Sequence, residues 1–370
     1  MLKVFSEFLD KADGSAPYSI LDAGSGVGVL GICAAGALGR KARVRSQDRD
    51  ELARIFTEYN ARRNGLDETL LAAHTEPLLS GPPDCRWDII LTNIPAKAGR
   101  PVLEDFIRRS AGVLKKDGRV FLVAVNTLAD FFRSRIAAAE APLVTEETGK
   151  EHTVFVYGPC ETPASPLLFD ADFPAAYPFY IRNQNGYEMD DIPYRLDTLH
   201  GAPDFDSPGG AIQAAAKLAL KIDLASKLRG KEGKVLIHDS GQGHFALWLA
   251  RYLDGGAFRW VLSGRNILAL AASRSALNVA GSGASLSVLP AADIALECCR
   301  PGAEGPFALA ALFPEGKADF PQEVIDTGGI LLAGMSSAEA ERFDRKKPPA
   351  LRRIGDLKRK GFRALAYQGR

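Results

Sequence analysis

The chain has 370 residues, enough for about two domains, with 46% hydrophobic and 25% charged residues and a formal net charge of +1. That is the composition of a soluble globular protein; no apolar run approaches the roughly 20 residues of a bilayer crossing, and charges within residues 1–10 speak against a signal peptide. The five cysteines (Cys33, Cys85, Cys160, Cys298, Cys299) form no Cys-x-x-Cys pair and the histidines at 74, 152, 200, 238 and 244 show no metal spacing. No disulfide framework, metal site or membrane segment is expected, and a reducing cytoplasm fits best.

From residue 18 to 158 the pattern alternates strand and helix. A first strand over 19–21 runs into Asp22-Ala23-Gly24-Ser25-Gly26-Val27-Gly28, an acid followed by glycines at alternate positions, and then into an apolar helix over 27–38. Such glycines permit positive φ and let a ligand touch the backbone, and the helix start is expected to turn free N–H groups toward it. Nicotinamide, flavin and S-adenosylmethionine sites all use loops of this kind. A second strand, 42–46, ends at Gln47-Asp48-Arg49-Asp50. Asp50 is the expected N-cap of a helix over 51–63 that closes at Asn64-Gly65. Strand three covers 70–73. Strand four covers 87–92 and runs into Asn93-Ile94-Pro95. A helix over 101–114, an exit turn at 115–118, a fifth strand over 119–125 and a helix over 128–139 follow. Late strands at 143–145 and 153–157, with no helix between them, predict a hairpin at one edge, antiparallel to the rest. The repeated alternation predicts a parallel sheet with helices on both faces.

Residues 159–208 break the rhythm. They hold seven prolines from Pro163 to Pro208 and the aromatics Phe169, Phe173, Tyr177, Phe179, Tyr180, Tyr187 and Tyr194. The segment is also acidic: 161–210 carries nine Asp and Glu against two Arg. We expect a linker or arm packed on a domain surface, since a disordered tether would be poor in aromatics. The first pattern then recurs. Ser240-Gly241-Gln242-Gly243 repeats Ser25-Gly26-Val27-Gly28, and 261–266 repeats 44–50. The sheet-forming residues remain, but Asp22 corresponds to Ile237, Gly24 to Asp239, Asp48 to Gly264 and Asn93 to Ala311 or Leu312. The expected organisation is a ligand-binding domain (1–158), an arm (159–208) and a folded, ligand-free copy (209–370).

Open parallel sheets bind ligands beyond the carboxyl ends of their strands, so Asp22, Asp48 and Asn93 are expected to face one crevice. Asp48 suits the vicinal hydroxyls of a ribose; the helix-capping alternative is already filled by Asp50. Asp22 is suited to hold a cationic amino group or to order the loop. A nicotinamide cofactor would also use glycines and a strand-two acid. The acid directly before the glycines and Asn-Ile-Pro after strand four argue against it.

Those same residues resemble class I S-adenosylmethionine-dependent methyltransferases. Asp22-Ala23-Gly24-Ser25-Gly26-Val27-Gly28 resembles their motif I, Asp48-Arg49-Asp50 their second motif, and the stretch from Trp87 to Gly99 the Asn-Pro-Pro region of the methyltransferase small domain group. That group includes ribosomal RNA guanine-N2 methyltransferases, some of them tandem duplications with one degenerate half. The resemblance implies an α/β fold of two tandem Rossmann-like domains, each a mostly parallel seven-stranded sheet with an antiparallel edge strand. It implies S-adenosyl-L-methionine as cofactor, contacted by Asp22, Gly24, Ser25, Gly26, Gly28, Asp48, Arg49 and Glu76. It implies catalysis by Asn93, Ile94 and Pro95: the Asn93 side-chain oxygen and the Ile94 carbonyl accept both N–H bonds of an exocyclic amine and aim its lone pair at the sulfonium methyl. RNA, ribosomal foremost, is the implied partner, with the target base unstacked or in an exposed loop.

Two departures stand out. Ile94 replaces the family's first proline, and Ala96 stands where many amine methyltransferases place a base-stacking aromatic. A ring would have to come from elsewhere, Phe131 or Phe132 after strand five being candidates unless both are core. Basic residues that could meet phosphate are Arg40, Lys41, Arg43, Arg45, Arg62, Arg63 and a cluster at 342–363; together they would give salt-dependent affinity for RNA. Left open are the same chemistry on a protein or small molecule, and a non-catalytic RNA- or protein-binding pseudo-methyltransferase.

Overall fold

Two seven-stranded sheets of the same topology account for most of the chain. The computed structural model describes residues 2–9, 17–94, 96–170, 173–203, 206–254, 258–281, 286–292, 305–314 and 325–370. Pro95, Cys298 and Cys299 lie outside them. The chain divides into two compact units, Met1–Tyr180 and Ile181–Arg370.

The first unit begins with helix α1 (Leu2–Leu9), which the sequence pattern did not suggest. It docks through Phe5 and Phe8, whose ring centroids each lie 5.4 Å from that of Phe121 on the sheet. Then follow β1 (Tyr18–Ala23), α2 (Val29–Leu38), β2 (Ala42–Asp48), α3 (Glu51–Arg63), β3 (Leu71–Thr75) and β4 (Trp87–Asn93). After them come α4 (Arg100–Gly112), β5 (Leu114–Val125), α5 (Ala129–Ala138), β6 (Leu143–Thr148) and β7 (His152–Tyr157). The sheet order is β3-β2-β1-β4-β5-β7-β6. The expected edge hairpin is present, with β7 antiparallel to both β5 and β6. The exit turn expected at 115–118 is instead part of β5, which already pairs with β4 at Leu114 before a shift of register. Because β1 lies between β2 and β4, the chain reverses its direction of winding there, and a crevice opens beyond the ends of β1 and β4.

The segment expected as an arm is shared between the units. Its first part belongs to unit one: Leu167 bonds through its backbone with Leu79 and Gly81 (2.8 and 3.1 Å). The short helix α6 (Phe173–Ala176) buries Phe173 among the rings of Phe169, Tyr177 and Tyr180. The second part is the hairpin β8 (Ile181–Met189) and β9 (Ile192–Leu199) of unit two.

Unit two continues with α7 (Gly210–Lys221), α8 (Leu224–Leu228), β10 (Gly233–His238), α9 (His244–Tyr252), β11 (Phe258–Gly264), α10 (Ile267–Val279) and β12 (Leu286–Pro290). It ends with β13 (Phe307–Leu312), β14 (Ile325–Ser336), α11 (Ser337–Lys346), β15 (Leu351–Arg359) and β16 (Phe362–Gly369). Its sheet order, β12-β11-β10-β13-β14-β16-β15, repeats that of unit one. Ile237 lies opposite Leu262 and Ala311, as Asp22 lies opposite Ser46 and Leu91. That register places Asp239 at the position of Gly24 and Gly264 at that of Asp48. It corrects one correspondence: the counterpart of Asn93 is Phe313, one residue beyond the expected Ala311 or Leu312. Phe313 packs edge-on against Phe245, 4.8 Å between centroids.

Unit two also fills its own crevice. Asp239 adopts the left-handed backbone of Gly24 (φ 52 against 77) and its carboxylate accepts the Arg265 N–H at 2.9 Å. Gln242 accepts from the Leu199 N–H (2.6 Å) and donates to the Pro203 carbonyl (2.8 Å), while Asn266 donates to the Gly201 carbonyl (3.0 Å). Gln242 is therefore buried, whereas Val27 at the same point of unit one is 49% exposed.

Helix α2 can lie against β1 and β2 only because Gly31 has no side chain. A Cβ there would stand 2.4 Å from Ser46 Oγ and 2.8 Å from Asp22 Oδ2. Gly31→Ala is expected to cost unit one roughly 1–3 kcal/mol through overpacking, read as a lower urea midpoint. Gly36→Ala in the same helix meets nothing within 4 Å and should hold or raise the midpoint.

Candidate active site

At the end of β1, Asp22 is 1% exposed. Its Oδ2 accepts from the Gly31 N–H (2.9 Å) and from Ser46 Oγ (3.4 Å); its Oδ1 is buried with no hydrogen-bond partner. Burial raises this carboxyl to about 6, with the Asp48 charge adding to the rise and the Gly31 and Ser46 bonds opposing it. Asp48, at the end of β2, uses both oxygens: Oδ2 accepts from the Gly26 N–H and Oδ1 from the Asp50 N–H, each at 3.0 Å. Asp50 in turn caps α3 by accepting from the Leu52 N–H.

The glycine loop is closed on itself. Gly24 and Ser25 donate to the Gln47 carbonyl (2.9 and 3.0 Å), Gly26 to Asp48, Gly28 to the Ser25 carbonyl (2.9 Å) and Gly31 to Asp22. Thr57 and Asn60 of α3 hold the carbonyls of Gly26 and Val27 (3.1 and 3.0 Å). The expectation of free N–H groups facing a ligand is therefore corrected at these five positions. The physical reason is that two carboxylates and two carbonyls lie near enough to take the donors. A phosphate would need those donors free. The loop instead offers an uncrowded surface at Gly26, where a Cβ would have no atom within 4 Å, with two acids beside it. Such a site favours a cation.

Gln47 was not singled out in the sequence. It is buried at the end of β2, and its Nε2 reaches the carbonyls of Pro77, Leu78 and Ser80 (2.8, 2.6 and 3.1 Å). It thereby fixes the loop after β3 as the third wall of the crevice. The available signal was a polar amide on a strand end otherwise patterned for burial. Glu76, on that loop, is bound to Arg45 at 2.8 Å, so neither has a free charge. Arg49 lies near buried Tyr180.

On the other side, Asn93 ends β4 opposite Val123 of β5. Its side chain is exposed and makes no hydrogen bond to a described residue. Thr92 Oγ1 donates to the Ala23 carbonyl at 2.8 Å and ties the tips of β1 and β4 together. Ile94 is 4% exposed, its side chain turned inward. The structure thus brings Asp22, Gly24, Ser25, Gly26, Gly28, Asp48, Arg49, Glu76, Asn93 and Ile94 to one edge of the sheet. Of the basic residues expected in unit one to meet phosphate it brings Arg45 there, bound to Glu76, and leaves the others away from that edge. Arg40, Lys41 and Arg43 lie at the opposite end of β2, Arg62 and Arg63 at the far end of α3. In unit two Arg353 is bound to Asp344 and Arg363 to Asp356. Among the described residues, no group of three or more His, Cys, Asp or Glu could hold a metal ion, and no helix is long and apolar enough to cross a membrane.

The methyltransferase small domain family matches residues 3–135. No curated protein shows a significant sequence match. Among solved structures, the T. thermophilus 16S rRNA N2 G1207 methyltransferase, in complex with AdoMet and guanosine, is similar over 98% of this chain and 91% of its own, with a TM-score of 0.63 and 17% identity. A ribosomal protein L11 methylase from Lactobacillus delbrueckii subsp. bulgaricus covers 43% of this chain and 79% of its own, with a TM-score of 0.37 and 23% identity.

The raised carboxyl of Asp22 has a signed consequence for stability. Between its ordinary value of 3.8 and about 6 the folded state holds this proton more tightly than the unfolded chain. The Asp22 contribution is therefore most favourable at low pH and falls as pH rises through that window, then levels off. Urea midpoints of unit one from pH 4 to 7 should show the fall, and Asp22→Asn should remove that component.

Proposed function

We propose that this chain, whose first unit belongs to the methyltransferase small domain family, transfers a methyl group from S-adenosylmethionine to an exocyclic amine of RNA, guanine N2 of ribosomal RNA foremost. The observation that carries the cofactor is the closed glycine loop with Asp22 and Asp48 beside it. A dinucleotide brings phosphates that would meet occupied donors and two acids, whereas S-adenosylmethionine brings an ammonium and a sulfonium and no phosphate. The likeness to a 16S rRNA N2 guanine methyltransferase supports the acceptor.

When bound, the cofactor supplies an electrophilic methyl group on a sulfonium. Asp22, which orders the loop from beneath, would attract the ammonium by its charge, and Asp48 would hold the ribose hydroxyls. The backbone at Gly24, Ser25, Gly26 and Gly28 forms the floor, with Arg49 and Glu76 at its border. An exocyclic guanine amine is a weak nucleophile because its lone pair is delocalised into the ring. Asn93 Oδ1 and the Ile94 carbonyl would accept its two N–H bonds and turn the lone pair toward the crevice. Pro95 biases Ile94 toward an extended backbone, which helps keep that carbonyl presented. Catalysis is then positioning and electrostatics.

In this reading residues 1–158 are catalytic and 209–370 form a degenerate, cofactor-free domain that keeps the scaffold. Its Asp239, Gly264 and Phe313 replace the ligand-facing residues. This reading implies a cytoplasmic protein.

Calorimetry of the full chain with S-adenosylmethionine should give one site per chain, weakened about tenfold or more in Asp48→Ala. Two sites, or tighter binding of NAD, would overturn the assignment. Radiolabelled methyl transfer to deproteinised ribosomal RNA should fall roughly 100-fold or more in Asn93→Ala with cofactor affinity retained. Labelling of protein and not RNA would move the acceptor to protein.

A further inference from the structure

Ala96 gives the acceptor base no flat surface after Asn93-Ile94-Pro95. Of the two rings that could replace it, Phe132 is core: it is fully buried, 6.2 Å between centroids from Phe155 on β7. Phe131 is different. It is only half-buried, stands edge-on to Phe132 (5.4 Å, 81°), and has the Arg100 guanidinium 5.9 Å from its centroid.

The two partners come from different strand ends. Arg100 is the first residue of α4, just beyond the tip of β4; Phe131 is in the first turn of α5, just beyond β5. Both helices therefore start at the sheet edge where Asn93 faces Val123. Asn126 fixes the turn into α5 by donating to the carbonyls of Gly149 and Lys150 (3.0 and 3.2 Å) and accepting from Thr153 Oγ1 (2.9 Å). Glu104 and Arg135, 3.6 Å apart, tie α4 to α5. Val125, at the end of β5, is 38% exposed and adds apolar wall on the same side.

We propose that Phe131 and the guanidinium of Arg100 form the stacking platform for the acceptor purine, in place of the ring that Ala96 does not supply. The inference rests on the RNA-amine reading above. A purine face sliding onto this pair exchanges one π contact for another, since both aromatic rings and guanidinium planes stack on bases. The anchored Phe132 keeps the ring from turning away, so little ordering is left to be done on binding. Phe131 thus acts on substrate placement, not on the cofactor.

The test is methyl transfer to deproteinised ribosomal RNA by the full chain, with cofactor affinity measured alongside. Phe131→Leu should lower kcat/KM for RNA roughly 10–100-fold, mostly through KM, the size expected for loss of one base–aromatic stack. Cofactor affinity and the urea midpoint should hold, and Phe131→Trp should restore activity. Arg100→Gln should show a smaller loss of the same kind. Unchanged kcat/KM in Phe131→Leu would overturn the platform. So would equal losses in the Leu and Trp variants together with a lowered urea midpoint, which mark a packing role. A separate readout needs no catalysis: guanosine monophosphate should quench Trp emission in Phe131→Trp above the quenching seen in wild type. Absence of that quench overturns the platform, while the quench in Phe131→Trp together with a wild type inactive on RNA overturns the methyl-transfer reading instead.

Discussion

The carboxylate of Asp22, held between the Gly31 N–H and Ser46, is the contact on which the first unit's site depends. It links the end of β1, the first turn of α2 and the middle of β2 in one buried bond set. The contact exists only because residue 31 lacks a Cβ and α2 can settle within reach. It also leaves one carboxylate oxygen buried and unpaired. Burying a carboxylate without full pairing is unfavourable, so the fold holds a group whose charge is better compensated by a cation than by anything the described residues provide.

Comparison of the two units separates what the fold requires from what a ligand requires. Both keep a left-handed glycine before the helix, Gly28 and Gly243, packed against Thr57 and Ser273 respectively. Both keep a polar cap on the next helix, Asp50 and Asn266. They part at Asp22, Gly24, Asp48 and Asn93, where unit two has an apolar residue, an acid tied to the backbone, a glycine and a phenylalanine. The turn and the sheet are shared; the charges at the crevice are not.

Much of this was legible in the sequence. The succession of strands and helices along the chain follows from the alternation of apolar runs with helices closed by Asn64-Gly65 and capped by Asp50, because local pattern and turn chemistry act over a few residues. The gathering of Asp22, Asp48 and Asn93 followed from strand ends alone. What was not legible depends on contacts between segments distant in sequence. The closure of the loop's N–H groups requires knowing that Gln47 and Asp48 lie beside Gly24 and Gly26. The roles of Gln47 and Gly31 are likewise three-dimensional. The docking of α1 through Phe5 and Phe8 is set by Phe121, more than a hundred residues on. The split of the Pro-rich segment between the units reflects tertiary pairing of Leu167 and of the β8–β9 hairpin, which its composition does not encode.

The filled crevice of unit two makes that unit its own ligand. Residues 199–203, Asp239 and Phe313 make covalently tethered contacts at the ends of β10, β11 and β13, where the proposed function has unit one take a diffusing molecule. A tethered occupant is present at a fixed effective concentration, whereas a free one stabilises only in proportion to how far its concentration exceeds its dissociation constant. Two halves built to one plan are thus coupled differently to the cell. On the methyl-transfer reading the stability of the first would follow the supply of its small molecule, and that of the second is set once, when the chain is made.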